Sequence, residues 1–210
     1  TEIYTLSLHD ALPISIFVRI TGREFIDRRR SYVVISNHQS QYDIFVLYGW
    51  LGIDFKWVMK IELRRLPFIG VSCERLGHIF IDRSDRNAAI RTINAAKEKI
   101  SGGTSVLFFP EGTRSRSGEL GAFKKGAFKM ALDLGLPILP ITIRGTRAIM
   151  PPDTLDIFPG RVDLIIHPPI DIGGYGEENV RELIERVYRI VSAPLSPSHR
   201  SSGDLATVER

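Results

Sequence analysis

The chain has 210 residues, 43% of them apolar and 25% charged, a balance that suits one globular domain with a real core and excludes a disordered chain. No run of about eighteen uncharged apolar residues offers a membrane span. The formal net charge of +4 leaves nucleic acid, an anionic membrane surface and a phosphorylated substrate all open, and the single cysteine, Cys73, excludes an internal disulfide and suits a reducing compartment.

In chain order, the segment from Tyr4 to Ile14 (YTLSLHDALPI) reads as the translation of a DNA sequencing adapter. Residues 1–15 are therefore expected to be foreign to the domain, His9 and Asp10 with them, and the native start is expected upstream. Tyr32 to Ser36 predicts a buried strand, Phe55 to Met59 a second, His78 to Asp82 a third and Ser105 to Phe109 a fourth. Between the third and fourth, Ala89, Ile90, Ile93, Ala96 and Ile100 recur at helical spacing, so a helix is expected over 85–100, stopped by Gly102-Gly103.

A shorter helix is expected from Gly126 to Leu134, ended by Gly135, and strands from Ile138 to Ile143 and Val162 to Ile166. Val180, Leu183, Ile184, Val187 and Ile190 form one stripe of a helix over 177–191. From Pro194 onward Ser, Pro and charged residues predict a disordered tail over 194–210. Apolar strands alternating with helices predict a single α/β domain over residues 16–193, with a mixed, largely parallel central sheet flanked by helices.

Two polar clusters directly follow predicted strands, where α/β sheets bind ligands. In the first, Asn37-His-Gln-Ser-Gln-Tyr-Asp43, His38 and Asp43 are five apart and poorly aligned within one helix. They meet if His38 sits on the turn and Asp43 on the first helical turn, where the carboxylate fixes one imidazole nitrogen and leaves the other as a base. An N-cap and turn is an equal reading of this segment alone.

In the second cluster, Phe109-Pro-Glu-Gly-Thr-Arg-Ser115, Glu111 can accept from a hydroxyl, Gly112 lets amides approach a ligand and Arg114 offers a fork for phosphate. Asp82-Arg83 ends a third strand and Leu139 to Gly145 reads as core. Neither Cys73 nor Ser40 has a base or nucleophile elbow beside it. The aromatics Phe80, Phe108 and Phe109 fall on predicted strands, which speaks against a nucleic-acid partner.

In order and spacing these four segments resemble the four motif blocks of the glycerolipid acyltransferase superfamily, with Met59-Lys-Ile-Glu-Leu63, Pro67 and Gly70 as a lesser match between the first two. The resemblance spans roughly residues 30 to 170. Phe-Pro-Glu-Gly-Thr-Arg-Ser resembles the 1-acylglycerol-3-phosphate acyltransferase branch, since the glycerol-3-phosphate branch carries a second glycine where Thr113 stands.

The resemblance implies the acyltransferase fold and direct acyl transfer from acyl-CoA or acyl carrier protein to the sn-2 hydroxyl of a lysophosphatidate. His38 would be the base and Asp43 its orienting partner. Lys60, Arg83, Glu111, Gly112, Thr113 and Arg114 would bind substrate, with amides around Gly112 facing the oxyanion. It implies no metal or redox cofactor, and a membrane-associated protein on the cytoplasmic face with an anchoring segment upstream. Another lysolipid or glycerol-3-phosphate as acceptor, and a non-catalytic lipid-phosphate-binding relative, are the alternative expectations.

Overall fold

The computed structural model describes residues 15–196 apart from 83, 84, 86, 87, 89, 90, 93, 94, 96–99 and 101. All but Ser15 of the segment expected to be foreign, most of the tail, and Arg83 lie outside the described residues, as does much of the helix expected over 85–100, of which Ala88, Arg91, Thr92 and Ala95 are helical.

Seven strands form one sheet in the order β1-β7-β6-β2-β5-β3-β4. They are β1 (Ile16–Thr21), β2 (Val33–Ser36), β3 (Phe55–Lys60), β4 (Ile79–Ile81), β5 (Ser105–Phe108), β6 (Ile138–Arg144) and β7 (Gly160–Ile166). β2 to β6 run parallel, while β7 lies antiparallel to β6 and carries β1 parallel beside it. The helices are α1 (Tyr42–Trp50), α2 (Ile69–Arg75), α3 (Gly126–Leu134), α4 (Thr146–Ile149) and α5 (Val180–Ser192).

The sequence predicts six strands, and β1 is the addition. Its burial alternates, with Ile16, Val18 and Ile20 half-buried toward the core, because an edge strand covers one face only. Six residues of alternation at the border of a set-aside segment carry less signal than the continuous apolar runs of central strands.

Alternate strand residues divide between two cores. Val33 and Ile35 of β2, with Val106 and Phe108 of β5, pack under α3 and α5 through Phe128, Met130, Leu183 and Val187. Tyr32, Val34 and Leu107 face the other way, against Val46 and Leu47 of α1 and Ile149 of α4. α3 ends at Gly135, whose φ of 66° is the left-handed cap conformation that glycine adopts at least cost.

One buried polar contact joins β6 to α5. The Thr142 hydroxyl donates to the Val191 carbonyl at 2.9 Å and lies 2.9 Å from His167 Nε2. A hydroxyl has one proton, so it accepts from His167, whose Nε2 therefore carries a hydrogen. Burial lowers the His167 pKa from its ordinary 6.5, and burial followed by the Lys56 charge lowers that of His78.

A histidine with a lowered folded pKa binds fewer protons folded than unfolded, so its contribution is full above about pH 6.5 and is lost as pH falls below that value toward the lower folded pKa. The urea midpoint should accordingly decrease from about pH 7.5 to about pH 5.5, and His167→Gln should flatten that slope. Equal slopes for the two proteins would remove His167 as a cause.

Candidate active site

β2 is flanked in parallel by β5, with Ile35 opposite Phe108, and by β6, with Ser36 opposite Ile141. The segments leaving these three strands therefore emerge side by side at the carboxyl edge of the sheet. Asn37 ties the first to the third. Its amide Nδ2 donates to the Ile143 carbonyl at 2.8 Å, and the Ile143 N–H donates back to its Oδ1 at 2.8 Å. The side chain thus extends the ladder by one rung where β2 leaves it, and each such buried bond contributes about 1 kcal/mol.

His38 and Asp43 meet in the way the spacing requires, with His38 on the turn and Asp43 the second residue of α1. His38 Nδ1 lies 2.8 Å from Asp43 Oδ2, the imidazole is 13% exposed and the carboxylate is fully buried. The same Oδ2 accepts from the Gln39 and Ser40 amides at 2.8 and 2.9 Å, and Oδ1 accepts from the Thr146 hydroxyl at 2.5 Å.

An ionised carboxylate only accepts, so Nδ1 carries a proton, and in the neutral ring Nε2 then presents a lone pair. Among the described residues Nε2 has no partner. The Phe109 ring stacks on the imidazole with centroids 3.8 Å apart and planes 5° apart, which fixes the ring against tilting and places a π-face beside the charge an imidazolium would carry.

The loop after β5 grips the backbone of His38. Glu111 Oε1 accepts from the His38 N–H at 2.8 Å and Oε2 from the Gly121 N–H at 2.8 Å, while the Ser115 N–H donates to the His38 carbonyl at 2.8 Å. The resemblance implies a substrate ligand at Glu111. The structure instead places this carboxyl in a buried position, with each oxygen accepting from a backbone amide. Burial raises the Glu111 pKa, an effect the two amides partly offset.

Gly112 sits at the turn of this loop. Its φ is 77°, and its own N–H closes the turn by donating to the Phe109 carbonyl at 3.0 Å. Thr113 beside it is exposed, and the Arg114 guanidinium is half-buried without an ion pair among the described residues. Lys60 ends β3 at the same edge of the sheet, exposed and likewise without an ion pair among the described residues. The structure brings His38, Asp43 and Glu111 into one bonded network, and leaves Thr113, Arg114 and Lys60 as accessible groups around it.

Sequence reasoning misses Thr146, Ser115 and the stacking role of Phe109. Thr146 lies 103 positions from Asp43. No local pattern marks such a pair, although its place just beyond a predicted strand is the signal that singles out the other two clusters. Among the described residues, no group of three or more His, Cys, Asp or Glu could hold a metal ion.

The chain is 42% identical over 139 residues to the chloroplastic 1-acyl-sn-glycerol-3-phosphate acyltransferase BAT2 of Brassica napus, covering 66% of this chain and 40% of the relative. It is 33% identical over 169 residues to the 1-acyl-sn-glycerol-3-phosphate acyltransferase of Borreliella burgdorferi, covering 79% of this chain and 67% of the relative. The crystal structure of the 1-acyl-sn-glycerophosphate (LPA) acyltransferase PlsC from Thermotoga maritima superposes with a TM-score of 0.71 at 34% identity, covering 85% of this chain and 70% of that one. The chain spans about two fifths of the length of the Brassica and Arabidopsis relatives, at 40% and 39%. Residues 17–144 match the Acyltransferase family, and with more than half of its length inside that match the chain belongs to it.

Proposed function

We propose that this protein transfers a fatty acyl group from an acyl thioester, carried on coenzyme A or acyl carrier protein, to the sn-2 hydroxyl of 1-acylglycerol-3-phosphate, forming phosphatidic acid. The observation that carries this reading is the His38–Asp43 pair: an imidazole held at Nδ1 by a buried carboxylate, with Nε2 left to take a proton.

His38 Nε2 removes the hydroxyl proton as that oxygen attacks the thioester carbonyl, and Asp43 stabilises the imidazolium that forms. The tetrahedral intermediate collapses with cleavage of the carbon–sulfur bond, and the imidazolium returns the proton to the leaving thiolate. Arg114, with Lys60, supplies cations for the acceptor phosphate, and Arg83 has the same role by family resemblance. Acceptors with a free hydroxyl beside a phosphate fit this placement. No metal or redox cofactor takes part in these steps.

The protein is also proposed to work at a membrane surface, on the cytoplasmic face where acyl thioesters are carried. Among the described residues no helix is long and apolar enough to cross a membrane. Apolar side chains are nevertheless presented outward: Ile44, Phe45 and Tyr48 on α1, and Leu66, Phe68, Ile69 and Val71 around the start of α2. Phe68 is 88% exposed and has a φ of 63°, in a tight turn where the Ile69 N–H donates to the Pro67 carbonyl at 2.7 Å. Such backbone costs about 1–3 kcal/mol and is retained where it presents a group for use. Arg65 and Arg75 are exposed close by in the chain and suit anionic headgroups.

Thiol release from oleoyl-CoA should require lysophosphatidate, and His38→Ala should lower it about a hundredfold or more while the fold is kept. Full activity in that variant would remove the base. Should oleoyl-CoA give no release in the wild type, oleoyl acyl carrier protein is the second donor, and silence with both would overturn the reaction.

Two neighbouring substitutions should separate by kinetics. Arg114→Ala should raise the acceptor KM, whereas Glu111→Gln should lower kcat with KM nearly unchanged, because an amide cannot accept from both the His38 and Gly121 N–H groups. A raised KM in Glu111→Gln alone would return Glu111 to substrate binding. In flotation with phosphatidylglycerol-containing vesicles, Phe68→Ser with Ile69→Ser should reduce the bound fraction, and unchanged binding would reject this surface.

A further inference from the structure

The Asp43 carboxylate receives its donors unequally. Three of them, the His38 ring and the Gln39 and Ser40 amides, are local and converge on Oδ2. Oδ1 has one donor among the described residues, the Thr146 hydroxyl, contributed from 103 positions away. Rotation of a carboxylate about its last torsion is soft and nearly two-fold, so a cluster of donors on one oxygen locates that oxygen without fixing the plane of the group. The donor on Oδ1 sets the plane, and with it the direction along which Oδ2 meets His38 Nδ1.

Thr146 is placed for this by its own surroundings. It is fully buried, and Asp43 is its side chain's only hydrogen-bond partner among the described residues. The preceding Gly145 has a φ of 96° and lies so close to β7 that a Cβ there would come within 2.1 Å of the Arg161 carbonyl oxygen. Only glycine lets the chain turn off β6 at that approach, which delivers the next residue toward Asp43. At the other end of α4 the Ser40 hydroxyl donates to the Met150 carbonyl at 2.7 Å, so the turn carrying His38 is tied to this segment twice.

We propose that Thr146 is a positioning residue for the transfer reaction: its hydroxyl orients the Asp43 carboxylate, and through it the His38 imidazole, without touching either substrate. This rests on His38 being the base.

The test compares Thr146→Val, which keeps volume and β-branching but deletes the hydroxyl, with Thr146→Ser, which keeps the hydroxyl. Each is measured for kcat, for acceptor KM and for the NMR resonance of the His38 Nδ1 proton in the substrate-free protein. The valine variant should lose about tenfold to a hundredfold in kcat with acceptor KM within about twofold, and the downfield Nδ1 proton should shift or broaden. The serine variant should recover most of both. If the valine variant does not fold, Thr146→Cys, whose thiol is a weak donor, takes its place in the same comparison.

Wild-type kcat and an unshifted proton in the valine variant overturn the proposal, as do equal losses in valine and serine, which would assign the effect to a general disturbance of packing rather than to the hydroxyl. His38→Ala keeps the two readings apart. An inactive His38→Ala beside a fully active Thr146→Val removes only the positioning role, whereas an active His38→Ala removes the base reading itself.

Discussion

The site depends on a carboxylate that has been taken completely out of water. Burying an unpaired charge is prohibitive, so Asp43 persists only because four donors surround it, and those donors come from two distant parts of the chain. Satisfying one buried oxygen pair thereby forces the turn after β2 and the segment after β6 into a single arrangement. The imidazole inherits that arrangement, since it is one of the four donors. The placement of His38 and the stability of the surrounding fold rest on the same contacts.

Parallel pairing makes this possible. Because β2 lies between β5 and β6 with matched registers, three chain segments far apart in sequence leave the sheet at one edge. Each contributes something different. The β2 turn brings His38, the β6 segment brings the Thr146 hydroxyl that donates to Asp43, and the β5 loop holds the His38 peptide from both sides through Glu111 and Ser115. An antiparallel neighbour in place of β5 or β6 would send its carboxyl end to the opposite edge and leave the turn unsupported.

The division of labour inside the Phe109–Ser115 block follows from burial. Phe109 and Glu111 point inward and act on His38, one through its ring and the other through its backbone. Thr113 is exposed and Arg114 half-buried, and the guanidinium has no carboxylate partner among the described residues. One short loop therefore holds His38 through its buried first half and presents Thr113 to solvent in its second. The apolar residues displayed on α1 and around Phe68 add a third surface, chemically suited to a lipid interface and separate from the buried network.

Much of this was legible in one dimension. The strand runs, the helix at 126–134, the helix expected over 177–191 and found at 180–192, and the α/β class follow from periodicity, which is a local property of side chains facing one core. The pairing of His38 with Asp43 was one of two readings open to the sequence, because five residues across a turn and a first helical turn can meet and can equally cap the helix. What only the tertiary structure decided was which distant groups share those residues. The inward carboxyl of Glu111, the closed amide of Gly112, the stacked Phe109, the hydroxyl of Thr146 and the edge strand β1 all depend on strand order and register. Those are set by the packing of two cores on one sheet, a global minimum that no window of sequence contains.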